Sequence, residues 1–256
     1  MREKEKLFTY ELEIFRTEVD SAIQFFYAEL TINAVCKDNK RTLDLVNKTP
    51  LFWCTISGAL HTSLFIALGR IFDQNSEHNV DKLLKVAKDS SEIFLSPALE
   101  ARKREGNTNA EEWIYEYMKD VYIPTDADFR RLRGYVSKYR KIYENGYRDL
   151  RRKVYAHKEL SKSKDVQELY AKTNIREMQR LLIFLNRLHE ALWELFHNGR
   201  KPILRPMKYS VAELRKAVVP TWQSSINNVQ DRIVFETESF FKILSTAINP
   251  QMQAVK

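Results

Sequence analysis

Phe8, Leu12, Phe15, Val19, Ala22, Phe26 and Leu30 recur at steps of three and four, the spacing that gathers side chains onto one face of an α-helix. Six glycines and seven prolines are few for 256 residues, and they fall where such patterns break. Period-two alternation, the mark of a half-buried strand, is found nowhere along the chain. Long helices joined by short connections are therefore predicted, in an all-α bundle large enough to hold a core without disulfides or metal.

The first stripe ends at the polar "KDNKRT". Thr49 then reads as an N-cap with Pro50 as first helical residue, a place where the missing N–H of proline costs nothing. The segment Thr49 to Gly69 carries no formal charge and is long enough to span a bilayer. It also holds His61 and several Ser and Thr residues, so a core helix buried on most faces of a soluble bundle is expected. Asn79 caps a short helix, "LSPAL" starts another, and "AEEWIYEYMKDVY" forms a third. Thr125 caps a helical pattern that runs unbroken through "FRRLRGYVSKYRKIYENGYRDLRRKVYAH". The periodic "NIREMQRLLIFLNRLHEALWELFHNG" ends at Gly199, as a helix-terminating glycine should. Gly199, Pro202 and Pro206 mark a boundary, so residues 1–199 are read as the bundle and 200–256 as a helical appendage. In the latter, "SVAE" (Ser210 to Glu213) has capping-box spacing and a last helix is expected over about residues 222–246.

The formal net charge is +8, but it is unevenly placed. Residues 130–164 contain thirteen Lys or Arg against three Asp or Glu, a local +10 that leaves the rest of the chain at about −2. Such a field draws phosphate-rich partners, although a solubilising helix face has the same composition. Arg130, Arg131, Lys138, Arg148, Lys153 and Lys158 are the candidate RNA contacts. Cys36 and Cys54 show no metal or redox spacing and read as reduced core residues of a cytosolic protein. The "MREKEKLF" start has no secretory pattern, and neither a membrane nor a cofactor is called for.

Several motifs fail on inspection. "HEALW" from His189 lacks the second histidine of a zinc protease helix. Glu190, Glu194 and His197 share a face but read better as exposed residues near a helix end than as metal ligands. Asp126 and Asp128 suit a first helical turn, because no Gly-Ser strand precedes them. Tyr135, Tyr139, Tyr143 and Tyr147, spaced by four among cations, offer base-stacking surfaces but fit a core seam better.

Arg151, Arg152 and His157 remain. An imidazole moves protons near neutral pH, and a guanidinium can grip two phosphate oxygens. RNA brings its own nucleophile, the 2′-hydroxyl, so a proton-transfer group and an anion clamp suffice to cleave it. On an ideal helix Arg152 stands about 140° and Arg151 about 120° around the axis from His157. Convergence therefore requires a bend or a helix end there. A basic surface without catalysis accounts for the same residues.

"LRRKVYAHKE" resembles the motif of HEPN domains, all-α bundles in which an Arg is followed after four to six residues by His. Together with the upstream "FIALGRIFD" (Phe65 to Asp73), it is similar to the abortive-infection, AbiU-type branch of that superfamily over roughly residues 5–199. The resemblance implies a homodimer whose two motifs form one metal-independent, RNA-cleaving site, with a setting in bacterial defence or beside an antitoxin protein. His157 would move the proton and Arg151 would hold the phosphate. The family usually has Asn or Asp after its Arg, whereas this chain has Arg152, so either arginine can be the motif member. A non-catalytic module that binds RNA or nucleotides, or a helical interaction protein, is the alternative.

Overall fold

The stripe from Phe8 to Leu30 lies on one long helix, α1 (Arg2–Asp38), whose Phe8, Leu12, Phe15, Val19, Ala22 and Phe26 are buried. The computed structural model describes residues 2–156, 163–205, 209–217 and 228–247. No strand occurs among them, and helix follows helix around α1: the fold is an all-α bundle.

"KDNKRT" is a shorter break than its polarity suggests. Asn39 accepts from the backbone N–H groups of Arg41 (3.0 Å) and Thr42 (3.3 Å) and starts α2 (Lys40–Lys48). The uncharged segment forms α3 (Pro50–Phe72), with proline in its first turn. Burial on most faces is not observed. Leu64, Phe65, Ala67, Leu68, Ile71 and Phe72 enter the core, while the first half of the helix lies on the surface. Leu51 is 81% and Phe52 57% exposed, and Cys54 is exposed rather than in the core, with Cys36 half-buried. The reason is geometric: the other bundle helices cover the Gly69 end of α3, and Phe241 against Trp53 is a cover of small extent at the other end. By length and composition α3 is long and apolar enough to cross a membrane, yet its second half is part of the bundle core.

The Asn79 carboxamide accepts from Lys82 N–H (3.0 Å) and opens α4 (Val80–Asp89). A 3₁₀ turn (Ser91–Phe94), α5 (Ser96–Arg104) and α6 (Ala110–Lys119) follow. Asp128 closes the capping box of α7 (Asp126–Gly146), accepting from the Thr125 N–H (2.9 Å), the Thr125 hydroxyl (3.0 Å) and the Tyr122 hydroxyl (2.6 Å). This gives Asp128 of the D-x-D pair a structural role. The tyrosine row is a core seam: Tyr143 and Tyr147 are buried, Tyr139 stacks on Phe184 at 4.1 Å, and Tyr135 at the far end is exposed.

The pattern expected to continue unbroken from Thr125 is interrupted. α7 stops at Gly146, and Tyr147 leaves helical geometry, its hydroxyl donating to Asn174 C=O at 2.7 Å. One turn, α8 (Arg148–Leu150), then gives way to a π-helical segment, Arg151–Ala156. α9 (Ser163–Ala171) leads to α10 (Ile175–Asn198), the second central helix, which ends at left-handed Gly199 (φ 56°). A Cβ at Gly199 would lie 2.7 Å from both Leu99 and Val121 side chains, so glycine is needed for space as well as for φ.

Beyond Gly199 the chain returns along α10. The Tyr209 carbonyl accepts from the Tyr27 hydroxyl (2.8 Å) and the Gln179 amide (3.1 Å). Ser210 and Glu213 make the expected capping box of α11 (Val211–Ala217), and α12 (Val229–Ala247) lies on α1 with Val234 and Phe241 buried. Pro206 and the first residues expected in the last helix lie outside the described residues.

Candidate functional site

Arg151 is the first residue of the π-helical segment and is anchored by the end of α3. Its Nη1 lies 2.6 Å from Asp73 Oδ2, and about a fifth of each side chain is exposed. Asp73 closes α3, its N–H donating to the Gly69 carbonyl at 2.8 Å, so the carboxylate sits on a rigid helix end. Its other oxygen, Oδ1, accepts from the Tyr143 hydroxyl at 3.1 Å. Burial and then the charge of Asp73 push the Tyr143 phenol above its ordinary range, which keeps it a donor.

Gly69 makes this approach possible. A Cβ there would lie 2.6 Å from Arg151 Nε and 2.9 Å from its Cζ, so the guanidinium rests on bare backbone. The Nε of Arg151 is buried and has no hydrogen-bond partner among the described residues. Gly69 and Asp73 are four residues apart on one helix, hence on one face. The glycine gives the room and the aspartate gives the direction.

Arg151 and Arg152, with Arg148, line a cleft of about 480 Å³ that Phe72 to Ser76 also line. Arg152 is exposed and pairs with no described carboxylate; Arg148 faces Glu144 at 3.6 Å, and Lys153 faces Asp149 at 3.3 Å. The other candidate RNA contacts are spread out. Arg130, Arg131 and Lys138 lie along α7, with Arg130 roughly 25 Å from the Arg148 end at 1.5 Å per residue. Arg131 is engaged by Asp128 (2.9 Å) and the Pro202 carbonyl (3.2 Å). His157 and Lys158 lie outside the described residues.

The winding between Arg151 and Ala156 is not that of an ideal helix. Bonds from i to i+5 widen each turn, so residues five apart come onto one side instead of diverging. The segment also runs antiparallel to α3: Arg151 rests on Gly69, and Tyr155 stacks on Phe65 at 4.9 Å. The described chain thus heads toward the exposed apolar half of α3.

Residues 8–213 match the family model described as AbiU2, HEPN_AbiU2. The chain belongs to the AbiU2 family of HEPN proteins. In this AbiU2-family chain the matched span runs from α1 into α11 and includes Gly69, Asp73 and the whole basic segment. Comparison with curated proteins and with solved structures returned no match.

The sequence alone does not single out Asp73, although it closes the "GRIFD" that carries part of the resemblance. The signal was the four-residue spacing of Gly and Asp at a helix end, which acquires a meaning only once Arg151 is placed against it. No group of three or more His, Cys, Asp or Glu suited to a metal ion occurs among the described residues.

Proposed function

We propose that this AbiU2-family protein is an endoribonuclease that cleaves RNA through its own 2′-hydroxyl. His157 takes and returns the proton, and an arginine of the Arg151–Arg152 pair steadies the charge that builds on phosphorus. The observation that carries this reading is Arg151 fixed by Asp73 over Gly69 at the edge of a cleft shared with Arg148 and Arg152. A clamp of fixed position stabilises a transition state better than a mobile surface charge. The nucleophile belongs to the substrate, so no metal-bound water is required by this chemistry.

Two copies complete the site in this reading, each bringing one motif, and the protein acts in the cytoplasm as a defence or toxin component that an antitoxin protein restrains. The exposed apolar half of α3, beside the motif, supports a paired assembly. It equally suits the second reading, a helical module that binds RNA or protein without cleaving.

Labelled RNA incubated with purified protein in EDTA, beside His157→Ala, tests the proposal. Products with a 2′,3′-cyclic phosphate and a 5′-hydroxyl are expected from the wild type, and a loss of roughly 10²–10⁴-fold in the variant. A 5′-phosphate product, or cleavage abolished by EDTA, would overturn the mechanism.

A further inference from the structure

A second cleft, of about 900 Å³, opens between α10, α1 and the chain after Gly199, and it shares no lining residue with the cleft at Arg151. Five cations and two carboxylates line it among the described residues.

Arg16, from α1, is held on two sides. Its Nε donates to Asp20 Oδ2 at 2.6 Å, and its Nη1 donates to Asn186 Oδ1 and His189 Nδ1, each at 3.3 Å. A guanidinium has no lone pair to offer, so His189 must accept through Nδ1 and carry its proton on Nε2. Burial, and then the charge of Arg16, lower the His189 pKa to about 3, so the ring is a neutral acceptor and not a competing cation. The second terminal nitrogen of Arg16 bonds to no described residue, and the side chain faces the cleft.

The same cleft is lined by Arg200 and Arg205, both exposed and with side chains bonded to no described residue. Trp193 lines the cleft from α10; it is 41% exposed and set at 4.6 Å against the His197 ring, which fixes its indole. Of the carboxylates, Glu190 is engaged by Arg187, and Glu194 accepts from the Asn198 amide at 3.0 Å. The cleft therefore offers guanidiniums to an anion and a flat apolar surface to something planar.

We propose that this cleft binds a nucleoside phosphate, with the phosphate held by Arg16, Arg200 and Arg205 and the base laid on Trp193. Guanidinium forks match phosphate oxygens, and an indole face accepts any base. The volume lies within the range of small-molecule sites. A free nucleotide and the phosphorylated end of an RNA share this chemistry. The inference does not depend on RNA cleavage.

Calorimetric titration of the full chain with ADP, with a 5′-phosphorylated RNA tetranucleotide and with inorganic pyrophosphate tests it. Saturable binding of ADP or of the tetranucleotide is expected, and the tighter of the two names the source. Arg200→Glu with Arg205→Glu should weaken that binding at least tenfold. Trp193→Ala should weaken it about tenfold without affecting pyrophosphate, and Trp193→Phe should restore it. Circular dichroism shows whether each variant keeps its helices. Absence of binding at millimolar ligand, pyrophosphate binding as tightly as ADP, or folded variants with wild-type affinity would each overturn the proposal.

Discussion

Asp73 Oδ2 lies 2.6 Å from Arg151 Nη1, tying the end of α3 to the first residue of the π-helical segment. The carboxylate sets the direction of the guanidinium and offsets much of its charge. Asp73→Asn removes the charge while keeping the shape. Turnover of RNA should fall by about tenfold to a hundredfold, the scale of a misplaced catalytic group, while RNA binding at low salt stays equal or tightens. Steady-state kinetics beside filter binding would show this split; a parallel loss of binding and turnover would mean that Asp73 contributes to fold alone.

Gly69→Ala tests the same geometry from the other side. The atoms that a new Cβ meets are the far end of a flexible side chain, so the guanidinium yields and not the backbone. Alanine also favours the helix by up to about 1 kcal/mol over glycine. Thermal melting should therefore be close to wild type while cleavage drops severalfold or more. A variant that unfolds, or one that is fully active, would count against Arg151 as the clamp.

Either arginine suits the motif by spacing, and their surroundings separate them. Arg151→Lys should damage cleavage, because an ammonium cannot meet Asp73 and a phosphate in the same fork geometry. Arg152, exposed and without a described partner, should tolerate Lys with less than a threefold change. If Arg152→Lys proves the damaging substitution, the motif arginine is Arg152.

Assembly follows from the exposed end of α3. Light scattering at micromolar concentration should give a dimer, the commonest closed arrangement of identical chains. Phe52→Glu should shift it toward monomer, because a carboxylate would be trapped in an apolar contact. A wild-type monomer would remove the shared site from the mechanism.

His189 predicts a pH dependence of stability. Its folded pKa, about 3, lies below the ordinary 6.5. Between those values the unfolded chain binds a proton that the folded chain refuses. Stability is therefore full above pH 6.5 and falls as pH decreases toward 3, by an amount on the order of a few kcal/mol. Urea unfolding at pH 7 and pH 5 should show this loss in wild type and a smaller one in His189→Gln.

The sequence and the structure agree at most places where local chemistry decides, the Asn39 cap inside "KDNKRT" being an exception. The α1 stripe, the Asn79 cap, the Thr125 cap and the Gly199 terminus are legible, because a cap or a periodic face depends on residues a few positions apart; the reach of Asp128 back to Thr125 and Tyr122 is not. Two further features are not. The break at Tyr147 is fixed by a hydrogen bond to Asn174, far along the chain, and hydropathy cannot report it. The exposed start of α3 was misread for a related reason: composition says that a surface is apolar, but not what covers it. At the candidate site, the motif points to Arg151 or Arg152 without choosing between them, whereas Asp73 emerges only from the tertiary structure that joins α3 to the basic segment.

The π-wound stretch from Arg151 to Ala156 amounts to a helix that has retained one surplus residue. Such an insertion is easily undone. Removing a single residue from Lys153 to Tyr155 would let ordinary α-winding close across the gap, with sound backbone bonding and a fold that looks intact by circular dichroism. Everything after it would keep much the same direction relative to Arg151, because four α-wound steps turn the chain about as far as five π-wound ones; only α-winding with every residue retained would turn it, by about 100°. A lineage that lost that residue would keep a well-behaved helical protein, whereas substitutions that favoured α-winding at full length would swing the chain beyond Ala156 away in one step. The winding of this short stretch is thus as much a part of the candidate site as the residues within it.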